Sequence, residues 1–310
     1  MTHVSLRYLD DSAVVASARH TLGVVALSGF ASADLPIGLE LLPVPSGGLR
    51  EVWQADEPIA HRGTSNGIRF ACTNGLVFGM LQQDISDSGT EAAGRLAYQS
   101  IFDLIEQQGC PHLLRISNYL PGITHIEDGR ERYRAFNAGR QAAFAARFRT
   151  NIQGPAACGL GCSGDAIRLF FLAGNEPGYN LENPRQVSAF DYPDRYGASR
   201  PIFARATLAA GRLFISGTAS IVGHESRHIS DAGAQTDEIV RNIDALLGEA
   251  ARSSRHVSRG DLQLKVYLRH PRDLAVVGAR LTAAGFALPA AFLQADICRP
   301  ELDVEIEAHA

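Results

Sequence analysis

The last residues of the chain carry a carboxylate at every second position. Asp303, Glu305 and Glu307 alternate with apolar or small residues, which is the pattern of a β-strand with one acidic and one apolar face. Because the apolar face must pack on the core, the acidic face lines either solvent or a cleft. A carboxylate that a rigid strand holds at a cleft wall is suited to general acid or base catalysis. The alternative is an exposed edge strand whose charges are only solvated.

Two other segments match motifs of known chemistry, and each lacks the element that the chemistry needs. Residues 224–228 match H-E-x-x-H, which binds zinc only where a helix puts both imidazoles on one face. A turn-rich polar sequence surrounds them, so we predict a loop and no metal site. Residues 159–164 match G-x-G-x-x-G, but a predicted strand follows them where a dinucleotide needs a helix N-terminus. We therefore predict no nucleotide site.

The elements that must position the acidic strand are clearest in the C-terminal third. Hydrophobic periodicity, turn residues and proline positions predict the order β-β-α-β-α-β-β. The strands are predicted at 203–208, 212–216, 262–268, 291–297 and 303–308, and the helices at 235–253 and 271–284. This is an α+β arrangement with the helices on one face of a sheet.

The middle of the chain repeats this order more loosely. Strands are predicted at 75–82, 112–117 and 167–172, with helices at 89–107 and 130–148. Two successive runs of this kind suggest a duplicated unit. Residues 174–201 between them are rich in Gly, Pro, Asn, Asp and Tyr without periodicity, and a loop of that length is more often functional than idle.

Composition excludes several kinds of partner. The formal net charge is -4, so no basic surplus attracts nucleic acid, and a small molecule is the better candidate. No run of 18 apolar residues occurs, which predicts no membrane span. Five cysteines, an odd number in a chain of 310 residues, indicate reduced thiols and a cytoplasmic location. Lys265 is the only lysine, which follows either from GC-rich codon bias or from a need for a compact ammonium there.

Six segments together resemble the chorismatase family, and the last of them resembles the terminal strands of the RidA-like (YjgF) fold. They occur in the expected order across about 190 residues, from 118 to 308. The segments are Asn118 to Gly122, Glu131 to Arg140, Tyr192 to Pro201, Phe203 to Ala206, Ile215 to Glu225 and Ala295 to Ala308.

The resemblance implies two RidA-like, chorismate-mutase-like α+β units, each a mixed sheet with helices packed on one face. A degenerate N-terminal domain is expected at 1–175, and a C-terminal domain at 176–310 with the substrate in its cleft. The resemblance makes Glu305 the catalytic carboxylate and Cys298 the thiol of the hydroxybenzoate-forming subtype. Ala219 lies where subtypes are expected to differ.

The implied reaction cleaves chorismate into pyruvate and 3-hydroxybenzoate, with 4-hydroxybenzoate as a candidate second product. Two alternatives stay open: hydrolysis of chorismate to a dihydroxycyclohexadiene carboxylate, or a RidA-like protein that binds ligands or hydrolyses imines. Protonation of the enolpyruvyl methylene carbon needs a carboxylic acid with a raised pKa, which a partly desolvated Glu305 can supply. No metal or other cofactor is expected, and the oligomeric state is open between monomer and homo-oligomer.

Chorismate is a dianion, which calls for planar cationic donors in the pocket. Arg140 and Arg134 on one predicted helix and Arg205 on the hairpin strand are the candidates, with plain solvation as the alternative for the helix residues. Tyr196 in the long loop is expected to close over the ring and donate a hydrogen bond, or else to pack within the loop. Lys265 is expected to hold a carboxylate as a point charge.

Overall fold

Four of the first five strands form a small N-terminal layer, and the other one joins the C-terminal sheet. The computed structural model describes residues 2–10, 13, 15, 17–28, 35–37, 39–42, 49–148, 153–287 and 291–310. These strands are β1 (Val4–Asp10), β2 (Thr21–Ala26), β3 (Leu35–Pro36), β4 (Glu40–Leu41) and β5 (Leu49–Ala55). Four of them make a sheet of order β1-β5-β2-β3. The sequence showed no usable pattern here, because short strands of mixed polarity lack a clear period.

The middle of the chain forms a six-stranded sheet with two helices. Its elements are β6 (His61–Ser65), β7 (Ile68–Cys72), β8 (Leu76–Asp84), α1 (Gly89–Gln107), β9 (His112–Pro121), the ribbon β10 (Ile126–Glu127) and β11 (Arg130–Glu131), α2 (Arg132–Arg147), β12 (Ala156–Cys162) and β13 (Ala166–Gly174). The predicted α1, α2, β8, β9 and β13 are confirmed, and α1 has the predicted bounds. The strand β12 was not predicted, because its glycines and small residues give little hydrophobic signal.

The C-terminal part, together with β4, forms a seven-stranded sheet with two α-helices. Its elements are β14 (Tyr179–Leu181), β15 (Ala206–Ala209), β16 (Arg212–Ala219), the ribbon β17 (Ile221–Val222) and β18 (Glu225–Ser226), α3 (Ala232–Arg252), β19 (Gln263–Leu268), α4 (Leu274–Ala283), β20 (Ala291–Gln294) and β21 (Val304–His309). Four single 3₁₀ turns also occur, at Ala189–Asp191, Asp194–Tyr196, Arg259–Asp261 and Pro271–Asp273. All seven elements predicted for this part are present, each with boundaries shifted by a few residues.

The two large sheets share one topology, which confirms the duplicated unit. Five strands of the first sheet run in the order β7-β8-β13-β9-β12, and their counterparts in the second run β15-β16-β21-β19-β20. In each sheet the last pair of that order is parallel and the other pairs are antiparallel. The division into domains at residue 175 stays a prediction. In its favour, Gly174 ends the last strand of the first sheet and Tyr179 begins the first strand of the second. Against a strict division, β4 of the N-terminal part pairs with β20 in the second sheet.

Both sheets are covered on both faces. The helices α1 and α2 pack on the outer face of the first sheet, and α3 and α4 on the outer face of the second. The inner faces meet in a central core that also takes in the N-terminal layer, and its aromatic members are Trp53, Phe78, Tyr119, Phe170, Phe214 and Tyr267. A side chain on an inner face is therefore surrounded by protein, whatever its polarity.

Candidate active site

The acidic strand lies in the interior of the molecule. Strand β21 pairs with β16 on one side and with β19 on the other, so the exposed-edge alternative is wrong. Its apolar face packs under α3 and α4, and its acidic face meets the central core. Glu305 and Glu307 are each only 4% exposed. Asp303 precedes the strand and instead accepts a hydrogen bond from Gln235, so it is not part of the buried pair.

Glu305 is in register with Ala219 of β16 and with Tyr267 of β19. A register shift between Ile215 and Thr218 of β16 marks a bulge beside it. Such bulges often re-aim the backbone next to active sites. The bulge places Gly217 directly against Oε1 of the Glu305 carboxyl group.

The Glu305 carboxyl group opens onto a cavity of about 330 Å³, a size typical of small-molecule sites. One wall comes from α2 and β12 of the first unit, and the rest from β16, the loop before β15 and the segment before β21. Both units therefore line this cavity, whereas the resemblance placed the cleft in the C-terminal domain alone; that the substrate binds here stays a prediction. Its charged lining residues are five arginines and three glutamates: Arg134, Arg140, Arg195, Arg205, Arg299, Glu131, Glu301 and Glu305.

The two buried glutamates of β21 have opposite protonation behaviour. Burial, reinforced by the negative charge of Glu307 and opposed by Arg115, raises the pKa of Glu305 to about 8. Burial acts in the same direction on Glu307, but Lys265 and Arg115 outweigh it and lower its pKa to about 2. At neutral pH Glu305 is therefore a neutral acid beside a permanent carboxylate. Two acids with divergent pKa values on one strand are typical of acid–base catalysis.

Cys298 lies in the cavity wall, as Ala219 does. Burial, together with the nearby charge of Glu305, raises the pKa of the Cys298 thiol to about 12. The sulfur therefore carries its hydrogen at neutral pH and is a weak hydrogen-bond donor, not a thiolate. The other four cysteines are also free thiols.

Two of the predicted anion-binding arginines are buried in the cavity wall. Arg140 donates from Nη2 to Asn137 Oδ1 at 2.7 Å, and Arg205 donates from Nη2 to the Val187 carbonyl at 2.8 Å and to the Tyr192 hydroxyl at 2.9 Å. Among the described residues neither Nε has a hydrogen-bond partner. The alternative of solvated surface arginines does not hold for Arg140, which α2 directs inward.

Arg134 and Tyr196 lie at the rim of the same cavity. The Arg134 side chain is 44% exposed, and its Nε is 3.5 Å from Glu131 Oε2. Tyr196, in a 3₁₀ turn of the long loop, stacks against the Arg299 guanidinium at 4.1 Å from the ring centroid. Both predicted positions therefore border the cavity, with Tyr196 held by Arg299.

Lys265 is not in the cavity wall, so its predicted role as a substrate-binding point charge is wrong. Its ammonium group is fully buried, 2.8 Å from Glu51 Oε2 and 2.9 Å from Glu307 Oε2. Its ammonium group is already paired with these two carboxylates of the protein, so it is not free to pair with a carboxylate of a substrate. The sequence shows that the chain has one lysine, but it does not show which carboxylates surround that lysine in the fold.

Several lining residues were not singled out from the sequence, namely Tyr133, Tyr192, Arg195, Gly217 and Arg299. Each lies inside or beside a segment that carries the family resemblance. The signal was present, but only the fold shows which side chains of a segment point inward.

In the structure neither rejected motif has the element that its chemistry needs, although residues 224–228 form part of a β-ribbon and not the predicted loop. Residues 224–228 include the second strand of the ribbon β17–β18 and form no helix. The described residues contain no group of three or more His, Cys, Asp or Glu that is arranged to hold a metal ion. Residues 159–164 belong to β12 and the turn to β13, without the strand-to-helix order of a dinucleotide site.

Gly217→Ala is expected to lower turnover by about tenfold or more, because a Cβ at this position would overlap Oε1 of Glu305 and displace the acid from its geometry. The backbone of Gly217 is not in the left-handed region, so the substitution adds no backbone strain, and its cost in stability comes only from displacing the Glu305 side chain. Gly248→Ala is the matched control, because a Cβ there meets nothing within 4 Å. Kinetics with unchanged turnover in Gly217→Ala would show that the site does not need this close approach.

A neutral buried acid in an arginine-lined cavity defines an enzyme that acts on small anionic molecules. The comparisons with known proteins agree. A family model described as "Chorismatase FkbO/Hyg5-like, N-terminal" matches residues 51–173. A chorismatase of Streptomyces rapamycinicus is 40% identical over 273 residues, covering 83% of this chain and 80% of that protein. A 3-hydroxybenzoate synthase of Streptomyces hygroscopicus is 35% identical over 274 residues, covering 83% of this chain and 80% of that protein.

The whole fold also matches a solved structure. The crystal structure of a chorismatase superposes with a TM-score of 0.88 at 32% identity, covering 100% of this chain and 98% of that chain. The chain belongs to the chorismatase family. In the described part of the chain, no helix has the length and apolar character that crossing a bilayer requires.

Proposed function

We propose that this enzyme cleaves chorismate into pyruvate and 3-hydroxybenzoate, with Glu305 as the general acid and 4-hydroxybenzoate as a candidate second product. The single observation that carries the proposal is a carboxyl group that stays protonated at neutral pH and opens onto an arginine-lined cavity. The relatives named chorismatase and 3-hydroxybenzoate synthase support the substrate and the product, respectively.

The cavity suits a molecule with two carboxylates. Arg140 comes from the first unit and Arg205 from the second, and within the described part of the chain the Nε of each has no hydrogen-bond partner. We assign one substrate carboxylate to each of them, since guanidinium groups bind carboxylates through planar, paired hydrogen bonds. Tyr196 and Arg299, which stack on each other in the cavity wall, are assigned to cover the ring of the substrate. Arg134 lies at the exposed rim, where its charge attracts the anionic substrate but its side chain makes no fixed contact with it.

The chemistry consists of proton transfers around one bond cleavage. Glu305 gives its proton to the methylene carbon of the enolpyruvyl ether, which leaves an oxocarbenium-like centre on the side chain. The neighbouring ring hydroxyl oxygen attacks the ring carbon as its bond to the ether oxygen breaks, and the electron pair of the broken bond stays on the pyruvate carbonyl oxygen. The bond from the attacking oxygen to the carbon that first carried it then opens, and loss of the proton from the newly hydroxylated ring carbon makes the ring aromatic. One proton is delivered and one is lost, so no water is consumed.

The proposal is tested by incubating the purified protein with chorismate. Released pyruvate is coupled to lactate dehydrogenase, and the organic acids are separated by chromatography. The amount of pyruvate is expected to equal the sum of 3- and 4-hydroxybenzoate, with 3-hydroxybenzoate as the main isomer. If the products are pyruvate and a dihydroxycyclohexadiene carboxylate, the enzyme hydrolyses chorismate, a reaction that consumes one water, and the proposed formation of hydroxybenzoate is wrong. A protein that releases no pyruvate from chorismate would refute the function.

Cys298→Ala is expected to redirect the product from hydroxybenzoate towards the non-aromatic diol, while pyruvate release continues. The thiol lies in the same cavity wall as Glu305, and its raised pKa keeps the sulfur protonated, so it can pass a hydrogen during aromatisation. The product ratio measured by chromatography is the readout. Cys110→Ala serves as control, because that thiol is buried between α1 and the first sheet, away from the cavity. An unchanged hydroxybenzoate yield in Cys298→Ala would contradict the role of the thiol.

A further inference from the structure

Behind Glu305, away from the cavity, lies a group of four buried charges that the proposed chemistry does not use. We call Glu51, Arg115, Lys265 and Glu307 the buried ion cluster. Lys265 Nζ is 2.8 Å from Glu51 Oε2 and 2.9 Å from Glu307 Oε2, and Arg115 Nη2 is 2.9 Å from the same Glu307 oxygen. All four residues are at most 5% exposed. Two positive and two negative charges therefore balance in a region that water does not reach.

The only lysine of the chain lies at the centre of this cluster. The other 28 basic residues are arginines, so the composition favours arginine wherever it is tolerated. The Lys265 ammonium has three acceptors, Glu51 at 2.8 Å, Glu307 at 2.9 Å and the Tyr119 hydroxyl at 3.4 Å, which match its three N–H groups. A planar guanidinium could not converge on them in the same space. This favours a need for a compact ammonium over codon bias at this position.

The cluster fixes the charge of Glu307. Two cations contact one of its oxygens, and they hold its pKa near 2 despite its burial. The surrounding titratable groups come from four other strands and from β21 itself. Burial raises the pKa values of the tyrosines and the cysteine among them and lowers that of the histidine, so all of these groups are neutral. These groups are Tyr8 of β1, Tyr119 of β9, Cys158 of β12, Tyr267 of β19 and His309 of β21. Glu307 therefore stays an anion throughout the pH range in which an enzyme works.

Glu307 and Glu305 are two positions apart on one strand face, about 7 Å between their Cα atoms by strand geometry. The groups that face Glu305 from other elements are Arg115 of β9, Tyr133 of α2 and Cys298 of the segment before β21. Arg115 is a cation, but it is bound to Glu307. Among the charges that act on Glu305, that of Glu307 has the largest effect and raises the pKa of Glu305, whereas Arg115 opposes it. A like charge disfavours ionisation of a neighbouring acid.

We propose that Glu307 is a positioning residue whose fixed charge, anchored by Lys265 and Arg115, keeps Glu305 loaded with the hydrogen that it delivers. The catalytic meaning of this assignment rests on the proposed function. The assignment itself concerns only the protonation state of Glu305 in the free enzyme. Glu307 and Lys265 do not line the cavity, so they act through Glu305 and not on the substrate.

The direct test is an infrared titration of the Glu305 carboxyl group in the free protein. The C=O stretch of a protonated carboxyl group is assigned as the band that Glu305→Gln removes, and its loss is followed as pH rises. In the unmodified protein the midpoint is expected near pH 8. In Glu307→Gln the midpoint is expected to fall by about one pH unit or more, because the anion is gone and Lys265 and Arg115 keep their charges. Glu307→Asp, which retains the charge, should keep most of the shift.

Glu307→Gln leaves buried cations in excess and can fail to fold. The double variant Glu307→Gln/Lys265→Met restores the charge balance, and its Glu305 midpoint is also expected below that of the unmodified protein. Because Lys265 is the only lysine, ¹⁵Nζ-lysine labelling of the unmodified protein and of Glu307→Gln gives one side-chain amine signal, which reports whether the ammonium stays charged. A Glu305 midpoint that stays within about 0.3 pH unit of the unmodified protein in both Glu307→Gln and the double variant, or in the double variant alone if Glu307→Gln does not fold, would overturn the proposal.

The same variants separate this proposal from the proposed function. If chorismate is the substrate, the alkaline limit of turnover should move with the infrared midpoint, while KM stays nearly constant. If the Glu305 midpoint shifts in these variants but the unmodified protein does not cleave chorismate, the role of Glu307 is supported and only the proposed substrate is wrong. A purely structural role for Glu307 would lower stability without moving the midpoint, which counts against the proposal.

Discussion

Glu305→Gln is expected to lower turnover of chorismate by about 10²- to 10⁴-fold, the range typical for the loss of one general acid. The amide has the size of the protonated carboxyl group but no proton to give to carbon. Because Glu305 is neutral at neutral pH, the substitution leaves the charge of the cavity unchanged. Arg140 and Arg205 are untouched, so the dissociation constant for chorismate should change only a few-fold.

Turnover is measured by pyruvate release and affinity by calorimetry with the inactive variant. Glu305→Asp is the informative companion, because it keeps an acid but withdraws it by one methylene from the position that Gly217 leaves open. It should fall between the unmodified enzyme and Glu305→Gln. A Glu305→Gln enzyme with more than about a tenth of normal turnover would eliminate this carboxyl group as the proton donor.

Lys265→Met is expected to lower the free energy of unfolding by about 3–5 kcal/mol, the range for breaking a buried ion pair on one side. Two carboxylates, Glu51 and Glu307, would lose their shared cation in a region that water does not reach. Arg115 can compensate only at Glu307. Methionine fills a similar volume, so the loss measures charge more than packing.

The quantity is obtained from urea unfolding at neutral pH. Arg252→Met removes a cation from an exposed pair with Glu249 and should have little effect, because solvent screens such pairs. The stabilisation of ionised Glu307 is fully present above the ordinary glutamate pKa near 4.5 and is lost as pH falls through about 2. The cost of Lys265→Met should therefore persist at pH 5. If Lys265→Met lowers the free energy of unfolding by less than about 1 kcal/mol, Glu51 and Glu307 do not depend on the charge of Lys265, contrary to the prediction.

The sequence determined the local structure of this protein. The 3.6-residue period defined the helices α1 and α3, and strict alternation from 303 to 308 defined an acidic and an apolar face of the last strand. These features depend on neighbours along the chain. Segments that resemble the chorismatase family also placed Glu305, Cys298, Arg140 and Arg205, which the structure brings to one cavity.

Only the tertiary structure decided what covers each face. Alternation could not distinguish a solvated acidic edge from a buried one, because the cover comes from residues up to about 250 positions away, such as Glu51 and Arg115. For the same reason Lys265 was assigned to the substrate when its partners are carboxylates of the protein. The protonation of Glu305 follows from that burial and from the neighbouring Glu307, since ionisation depends on the surrounding dielectric and charges and not on residue order.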